Sequence, residues 1–137
     1  MAAHGFEIAD ATTLCAMPNW LVEVYPHPAL LALLGVPYRF PYKVSKSRKL
    51  WPGTPVDVRI QLLLASFELI FAALRAHIDD IDLVLPCSDT VPSLSHLKRY
   101  EDALDGLVSA WVGIEYLEGR AQAYGHATAA VWVPTGK

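Results

Sequence analysis

Two long segments have apolar residues at the 3.6-residue period of an α-helix, and they restrict the fold more than any other feature. They cover residues 54–77 and residues 95–119. Helices of this length gain most of their stability by packing an apolar face against another layer. Thr54, Pro55 and Asp57 predict the start of the first helix, with the Thr54 hydroxyl as its cap. The apolar face of the second helix is predicted to consist of Leu97, Tyr100, Leu104, Leu107, Val108, Trp111 and Ile114.

Shorter apolar segments alternate with these helices. Residues 21–25 and 127–135 have strand-like composition, and residues 5–10 could form a short strand. Residues 82–86, DLVLP, fit either a short buried strand or a loop that packs into the core. Strands that alternate with helices of this length predict an α/β sheet protein.

Proline and glycine mark the other boundaries. Pro26 and Pro28 predict a short helix after the first strand, and Gly35 predicts its end. Residues 36–55 contain four prolines and are expected to form a loop or an extended connector, and residues 10–19 a second loop.

A chain of 137 residues is long enough for one domain, which we expect to cover residues 1–137. Apolar residues make up 53% of it and charged residues only 18%. This composition favours a homo-oligomer, most simply a dimer, in which another subunit covers part of the apolar surface. The net charge of −3 indicates no general attraction to nucleic acids or acidic membranes.

Nothing in the sequence indicates export or membrane insertion. The N-terminal residues lack the basic and apolar regions of a signal peptide. The most apolar stretch, residues 60–74, contains Glu68 and is too short to span a bilayer. Cys15 and Cys87 have no zinc-type spacing. We therefore expect a cytoplasmic protein with no membrane partner.

Three acidic residues are candidates for metal binding. Glu23 interrupts the apolar strand, where an unpaired carboxylate is costly. Asp102 and Asp105 lie three residues apart and are neighbours on the second long helix, with Glu101 beside them. Carboxylates from a strand and a helix can converge on Mg²⁺ or Mn²⁺. The alternatives are an edge strand with one polar face for Glu23 and a solvated helix face with a Lys98–Asp102 pair.

The connector at residues 36–55 is a candidate nucleic-acid-binding segment. Its basic side chains could contact phosphates, and Tyr38, Phe40 and Tyr42 could stack on bases. The alternative is a solvated basic loop. The predicted phosphate contacts are Arg39, Lys43, Lys46, Arg48 and Lys49.

Three stretches together resemble a known family. They are EVYPHPALLALLG at residues 23–35, YK at 42–43, and LKRYEDALDGLVSAWVGIEYLEGRA at 97–121. In this order and at this separation they look like the C-terminal half of the domain of unknown function 429 family, whose members are labelled predicted nucleases of the ribonuclease-H-like superfamily. The similarity covers roughly residues 20–135.

The resemblance implies a ribonuclease-H-like sheet flanked by helices, without the N-terminal strands of the full fold. It also implies metal-dependent phosphodiester hydrolysis, in which Glu23, Asp102 and Asp105 match the family's metal-binding acids. His27 and Lys43 would be auxiliary groups. A second hypothesis is a non-catalytic, self-associating module that binds nucleic acid or protein. A third is a truncated product with no function of its own.

Overall fold

The computed structural model describes residues 7–9, 20–126 and 129–136 and shows a mixed α/β protein, which confirms the predicted class. In the described part of the chain, three 3₁₀ turns accompany the helices, at Val44–Lys46, Ser88–Thr90 and Leu94–Leu97. In chain order the described strands and helices are β1 (Glu7–Ile8), β2 (Trp20–Leu21), α1 (Pro26–Leu34), α2 (Ser47–Leu50), α3 (Val56–Arg75), α4 (Lys98–Leu117), β3 (Ala121–His126) and β4 (Ala129–Pro134).

The chain divides into two compact units, which are described separately. The first unit comprises Met1–Pro37 and Val108–Lys137, and the second comprises Tyr38–Leu107. The boundary therefore falls inside α4. That residues 1–137 form a single domain stays a prediction.

The first unit contains the described strands. β3 and β4 pair in antiparallel register from Ala121 opposite Pro134 to His126 opposite Ala129, and β1 pairs with β2 in parallel. β4 confirms the strand predicted over residues 127–135, apart from residues 127–128, which lie outside the described part. β3 was not predicted, because its sequence, AQAYGH, lacks the apolar composition typical of a strand.

The strand predicted over residues 21–25 is shorter than expected. Regular pairing ends at Leu21, and Glu23 forms an isolated bridge with Val131. The Glu23 carbonyl accepts a hydrogen bond of 3.0 Å from the Trp132 amide. The extended backbone at Glu23 is thus tied to β4 although it is outside a regular strand.

Proline and glycine mark the helix ends in this unit. As predicted, α1 begins at Pro26 and Gly35 ends it: the last helical residue is Leu34, and Gly35 caps the helix with a left-handed φ of 65° and an amide that donates to the Leu31 carbonyl. α4 ends in a Schellman motif, in which Gly119 has a φ of 73° and the Arg120 amide donates to the Glu115 carbonyl. The buried residues of this unit include Ala29, Leu30, Val108, Trp111, Val112, Tyr116, Ala130 and Trp132.

The second unit is organised around α3. This helix confirms the prediction for residues 54–77, but Thr54 is not its cap. Pro55 occupies the N-cap position with no side-chain hydrogen bond, and the Thr54 carbonyl instead accepts a bond from the Arg59 guanidinium. The buried face of α3 consists of Ile60, Leu63, Ser66, Phe67, Ile70, Phe71 and Leu74.

Two connecting segments differ from expectation. The connector at residues 36–55 contains the Val44–Lys46 turn and α2. Ser47, the first residue of α2, is buried and accepts a hydrogen bond from Arg59. Residues 82–86 form a loop in the described structure, but none of them is buried, so neither the predicted strand nor a loop that packs into the core is found there. Val84 is 79% exposed and does not pack into the core.

The predicted loop at residues 10–19 and Cys15 lie outside the described residues. Within residues 7–9, 20–126 and 129–136, no helix combines the length and the apolar character needed to cross a bilayer.

Candidate functional site: a carboxylate–lysine cluster

The first two turns of α4 place three carboxylates side by side in the second unit. Asp105 follows Glu101 by four residues and Asp102 by three, and these are the spacings that bring side chains together on a helical surface. Each offers an oxygen within 4.8 Å of the other two. Their side chains run from buried to solvent, with exposed fractions of 1% for Glu101, 21% for Asp105 and 62% for Asp102.

The segment before the Val44–Lys46 turn supplies donors to the two less exposed carboxylates. The Lys43 Nζ lies 2.7 Å from Asp105 Oδ2 and 3.0 Å from Glu101 Oε1. The Tyr42 hydroxyl donates to Asp105 Oδ1 at 2.9 Å, and the Val44 amide donates to Glu101 Oε2 at 2.8 Å. These bonds tie the connector to α4 within the second unit.

Lys98, at the start of α4, closes the cluster on the solvent side. Its Nζ lies 2.8 Å from Glu101 Oε1 and 2.9 Å from Asp102 Oδ1. The predicted Lys98–Asp102 pair is therefore present, and Lys98 also bridges to Glu101. With two ammonium groups among three carboxylates, the cluster has a formal charge of −1.

The environment of Glu101 favours its charged form. Burial alone would raise the pKa of this carboxyl, but the hydrogen bonds from Lys98, the Val44 amide and Lys43 outweigh burial and hold the pKa below its usual range. The pKa of Lys43 is raised above its ordinary value: burial opposes the charge, but the bonds to Asp105 and Glu101 exceed that effect. The bonds to Glu101 and Asp102 raise the pKa of Lys98.

Burial also raises the pKa of Tyr42, with a further contribution from the neighbouring Asp105 carboxylate that opposes a phenolate charge. Its hydroxyl therefore remains a hydrogen-bond donor at neutral pH. The ring is fully buried, so Tyr42 is not available for the base stacking predicted from sequence.

The donor set suits a hard divalent cation. Carboxylate oxygens are the ligands that such cations prefer, and three of them converge here. Glu101, Asp102 and Asp105 could therefore hold a metal ion. Since Lys43 and Lys98 lie on some of the same oxygens, an ion would compete with their ammonium groups.

The structure brings together only part of the predicted acidic site. Asp102 and Asp105 are neighbours, as expected, and Glu101 joins them. The i,i+4 spacing of Glu101 and Asp105 was the signal that could have identified Glu101 as a site residue. Glu23 and His27 belong to the first unit, where the Glu23 side chain is exposed and His27 lies half-buried in α1. Their roles as ligand and auxiliary group stay predictions.

The predicted basic residues separate into two sets. Lys43 is engaged by the carboxylates, whereas the others are exposed and form no ion pair with any described residue. Tyr38 is 75% exposed beside them. The exposed set, here called the basic segment, consists of Arg39, Lys46, Arg48 and Lys49.

Comparison with known proteins identifies a family but no characterised relative. The sequence profile of a family described as "Protein of unknown function (DUF429)" matches residues 5–129 of the 137-residue chain. No curated protein and no solved structure matches the chain significantly.

Proposed function

The chain belongs to the DUF429 family, and we propose that it is a nuclease that uses a divalent metal ion, Mg²⁺ or Mn²⁺, to hydrolyse phosphodiester bonds. The observation that carries this proposal is the convergence of Glu101, Asp102 and Asp105 oxygens within 4.8 Å. A divalent ion held by such oxygens activates water and stabilises the charge that develops on phosphate oxygens.

The electrostatics of the cluster support the proposal. Glu101 stays ionised at neutral pH because three donors hold its charged form. Asp102 is exposed, so an ion can reach the cluster from solvent. Asp105 lies between them, positioned by Tyr42 and Lys43. The residues therefore combine a preformed negative centre with an open side.

The basic segment provides a means of holding the substrate. Its four cations have no acidic partner among the described residues, so they are available to neutralise phosphates. Such contacts position a backbone without reading its sequence. We infer that the α/β fold is ribonuclease-H-like, as the family resemblance implies; the same resemblance predicts Glu23 as a metal ligand.

Calorimetric titration with Mn²⁺ tests the metal site. We expect saturable binding by the wild-type protein, weakened at least tenfold in Asp102→Asn and in Asp105→Asn, because each removes one anionic ligand. Asp79→Asn is the matched control, since Asp79 is exposed and outside the cluster. Equal Mn²⁺ binding by all four proteins would refute a metal site at this cluster.

Two further variants test the wider proposal. If Glu23 is a ligand, Glu23→Gln will weaken Mn²⁺ binding as the helix variants do; unchanged binding would remove Glu23 from the site. Cleavage of single-stranded and duplex DNA and RNA should then require Mn²⁺ or Mg²⁺ and be lost in Asp105→Asn. Metal binding without cleavage of any substrate would refute the nuclease assignment.

A second candidate function is supported by the two lysines on the carboxylates. They neutralise most of the cluster's charge, as in an ion-pair network whose role is structural. The protein would then be a non-catalytic module that binds nucleic acid through the basic segment. In this case Lys46→Glu with Arg48→Glu will weaken binding and flatten its salt dependence by about 0.7–0.9 per lost phosphate contact, whereas Asp105→Asn will leave binding unchanged.

A further inference from the structure

An open groove runs along another face of α4 in the second unit, beside the carboxylate–lysine cluster. Its volume is about 530 Å³. Residues 81–84 form one wall, and the helix forms the other through Arg99, Tyr100, Ala103, Gly106 and Leu107. The walls are mostly apolar, with a phenol ring, one cation and one carboxylate, that of Asp82, in the lining.

The helix geometry places this groove next to the acids. With successive residues about 100° apart, Gly106 and Arg99 lie about 40° and 60° around the helix from Asp102. Glu101 and Asp105 occupy the side facing away from the groove. Asp102 is thus the cluster member nearest the groove, and a ligand in the groove would approach the exposed edge of the cluster.

The lining has the chemistry of a site for a planar, anionic ligand. The Arg99 guanidinium lies 5.1 Å from the centre of the Tyr100 ring and has no carboxylate partner among the described residues. Tyr100 offers a ring for stacking, and Asp82 offers an acceptor for hydroxyl or amino groups. Between Arg99 and Gly106 the helix rises about 10 Å.

Gly106 leaves space on the helix wall of this groove. Glycine in a helix interior costs about 1 kcal/mol relative to alanine. A Cβ at Gly106 would have no atom within 4 Å, so close packing does not require glycine there. A side chain much larger than alanine at this position would extend into the groove.

We propose that this groove binds one nucleotide unit of a single-stranded nucleic acid, with the base against Tyr100, the phosphate on Arg99 and a sugar hydroxyl on Asp82. The class of ligand rests on the proposed nuclease function. The groove would hold the nucleotide next to the phosphate that reaches the metal-binding cluster. Its open form suits a unit of a continuous chain, because both ends remain accessible.

The test is an NMR titration of the full chain with adenosine 5′-monophosphate in the presence of EDTA. We expect millimolar or tighter binding, with amide shifts at Ala103, Gly106 and Leu107 and in residues 81–84. Adenosine, which lacks the phosphate, and ribose 5-phosphate, which lacks the base, should each bind at least tenfold more weakly. Arg99→Gln should reduce the nucleotide's affinity about tenfold, to that of adenosine.

Substitutions at Gly106 distinguish occupation of the groove from a change in folding. Gly106→Leu fills the groove and should abolish binding, whereas Gly106→Ala should retain it; both should be at least as resistant to urea as the wild type. Absence of shifts, or equal binding by Gly106→Leu, overturns the proposal. EDTA removes metal ions, so this titration tests the groove independently of the metal site. A negative result here would not count against the metal site, and a negative Mn²⁺ titration would not count against the groove.

Discussion

The substitution Glu101→Gln tests whether the cluster stabilises the fold through a buried charge. Glu101 is 1% exposed and accepts bonds from Lys43, Lys98 and the Val44 amide. Glutamine has the same shape, but its amide has one acceptor oxygen and a donor NH₂ group. If the glutamine oxygen accepts the hydrogen bond from the Val44 amide, its NH₂ group faces the two ammonium groups of Lys43 and Lys98. Either the amide or the two lysines therefore lose their acceptor.

The expected cost is about 2 kcal/mol at pH 7. Removing one partner of a fully buried ion pair costs roughly 3–5 kcal/mol, and a hydrogen bond to a charged group contributes roughly 1.5–3 kcal/mol. The lysine side chains here are 36% and 52% exposed and can regain water, which lowers the cost. In urea, with an m-value of about 2 kcal/mol/M, the unfolding midpoint should fall by about 1 M.

The pH dependence gives a second readout. The folded-state pKa of Glu101 is lowered, so its stabilisation is complete above the unfolded value of about 4.3 and is lost as pH falls through the folded value. The difference between wild type and Glu101→Gln should therefore be full at pH 7 and shrink below about pH 4. Glu68→Gln, at an exposed position on α3, is the matched control and should change little. An unchanged midpoint for Glu101→Gln, or a difference that does not vary with pH, would refute the reasoning.

Four further substitutions test the cluster's donors and the glycine positions of the helices. Lys43→Met removes an ammonium group from Asp105 and Glu101, so calorimetry should show Mn²⁺ affinity increased about fivefold; weaker binding would contradict competition. Tyr42→Phe removes the hydroxyl bonded to Asp105 and should lower the free energy of unfolding in urea by about 1 kcal/mol. Gly35→Ala should lower the free energy of unfolding by about 1 kcal/mol because the φ of Gly35 is 65°. Gly113→Ala, within α4, should raise it by up to that amount. Equal effects of the two substitutions would contradict the need for glycine at the end of α1.

The long helices and the short proline-initiated helix could be predicted because their signals are local. The apolar period specifies α3 and α4, and Gly35 marks the end of α1. β3 could not be predicted, since alternation is weak in AQAYGH and its partner strand defines it. Residues 82–86 have the composition of a strand but form none. A strand needs a neighbouring strand to pair with, and the local sequence does not show whether one is present.

The site was predictable where the residues share one helix. Asp102 and Asp105 follow from helical spacing, and so does their contact with Glu101. The bonds from Tyr42 and Lys43 join residues more than 60 positions apart, which spacing cannot reveal. Tyr100 and Leu107 fit the apolar face predicted for α4, yet both line the groove, because periodicity does not distinguish core from a concave surface.

Competition between lysines and a metal ion also predicts how Mg²⁺ affinity depends on pH. The carboxylate partners raise the pKa of Lys43 and Lys98 above the ordinary lysine value of about 10.4, so both ammonium groups persist throughout the neutral range. Glu101 is ionised over the same range, because its pKa is lowered. The competition therefore does not change with pH, and Mg²⁺ affinity should be constant between about pH 6 and pH 9. Calorimetric titration at several pH values measures this affinity. Lys43→Met should bind Mg²⁺ more tightly than the wild type by the same factor at every pH. A rise in wild-type affinity toward pH 9 would show that an ammonium group loses its proton there, and would contradict the stabilisation of the lysine charges by Glu101, Asp102 and Asp105.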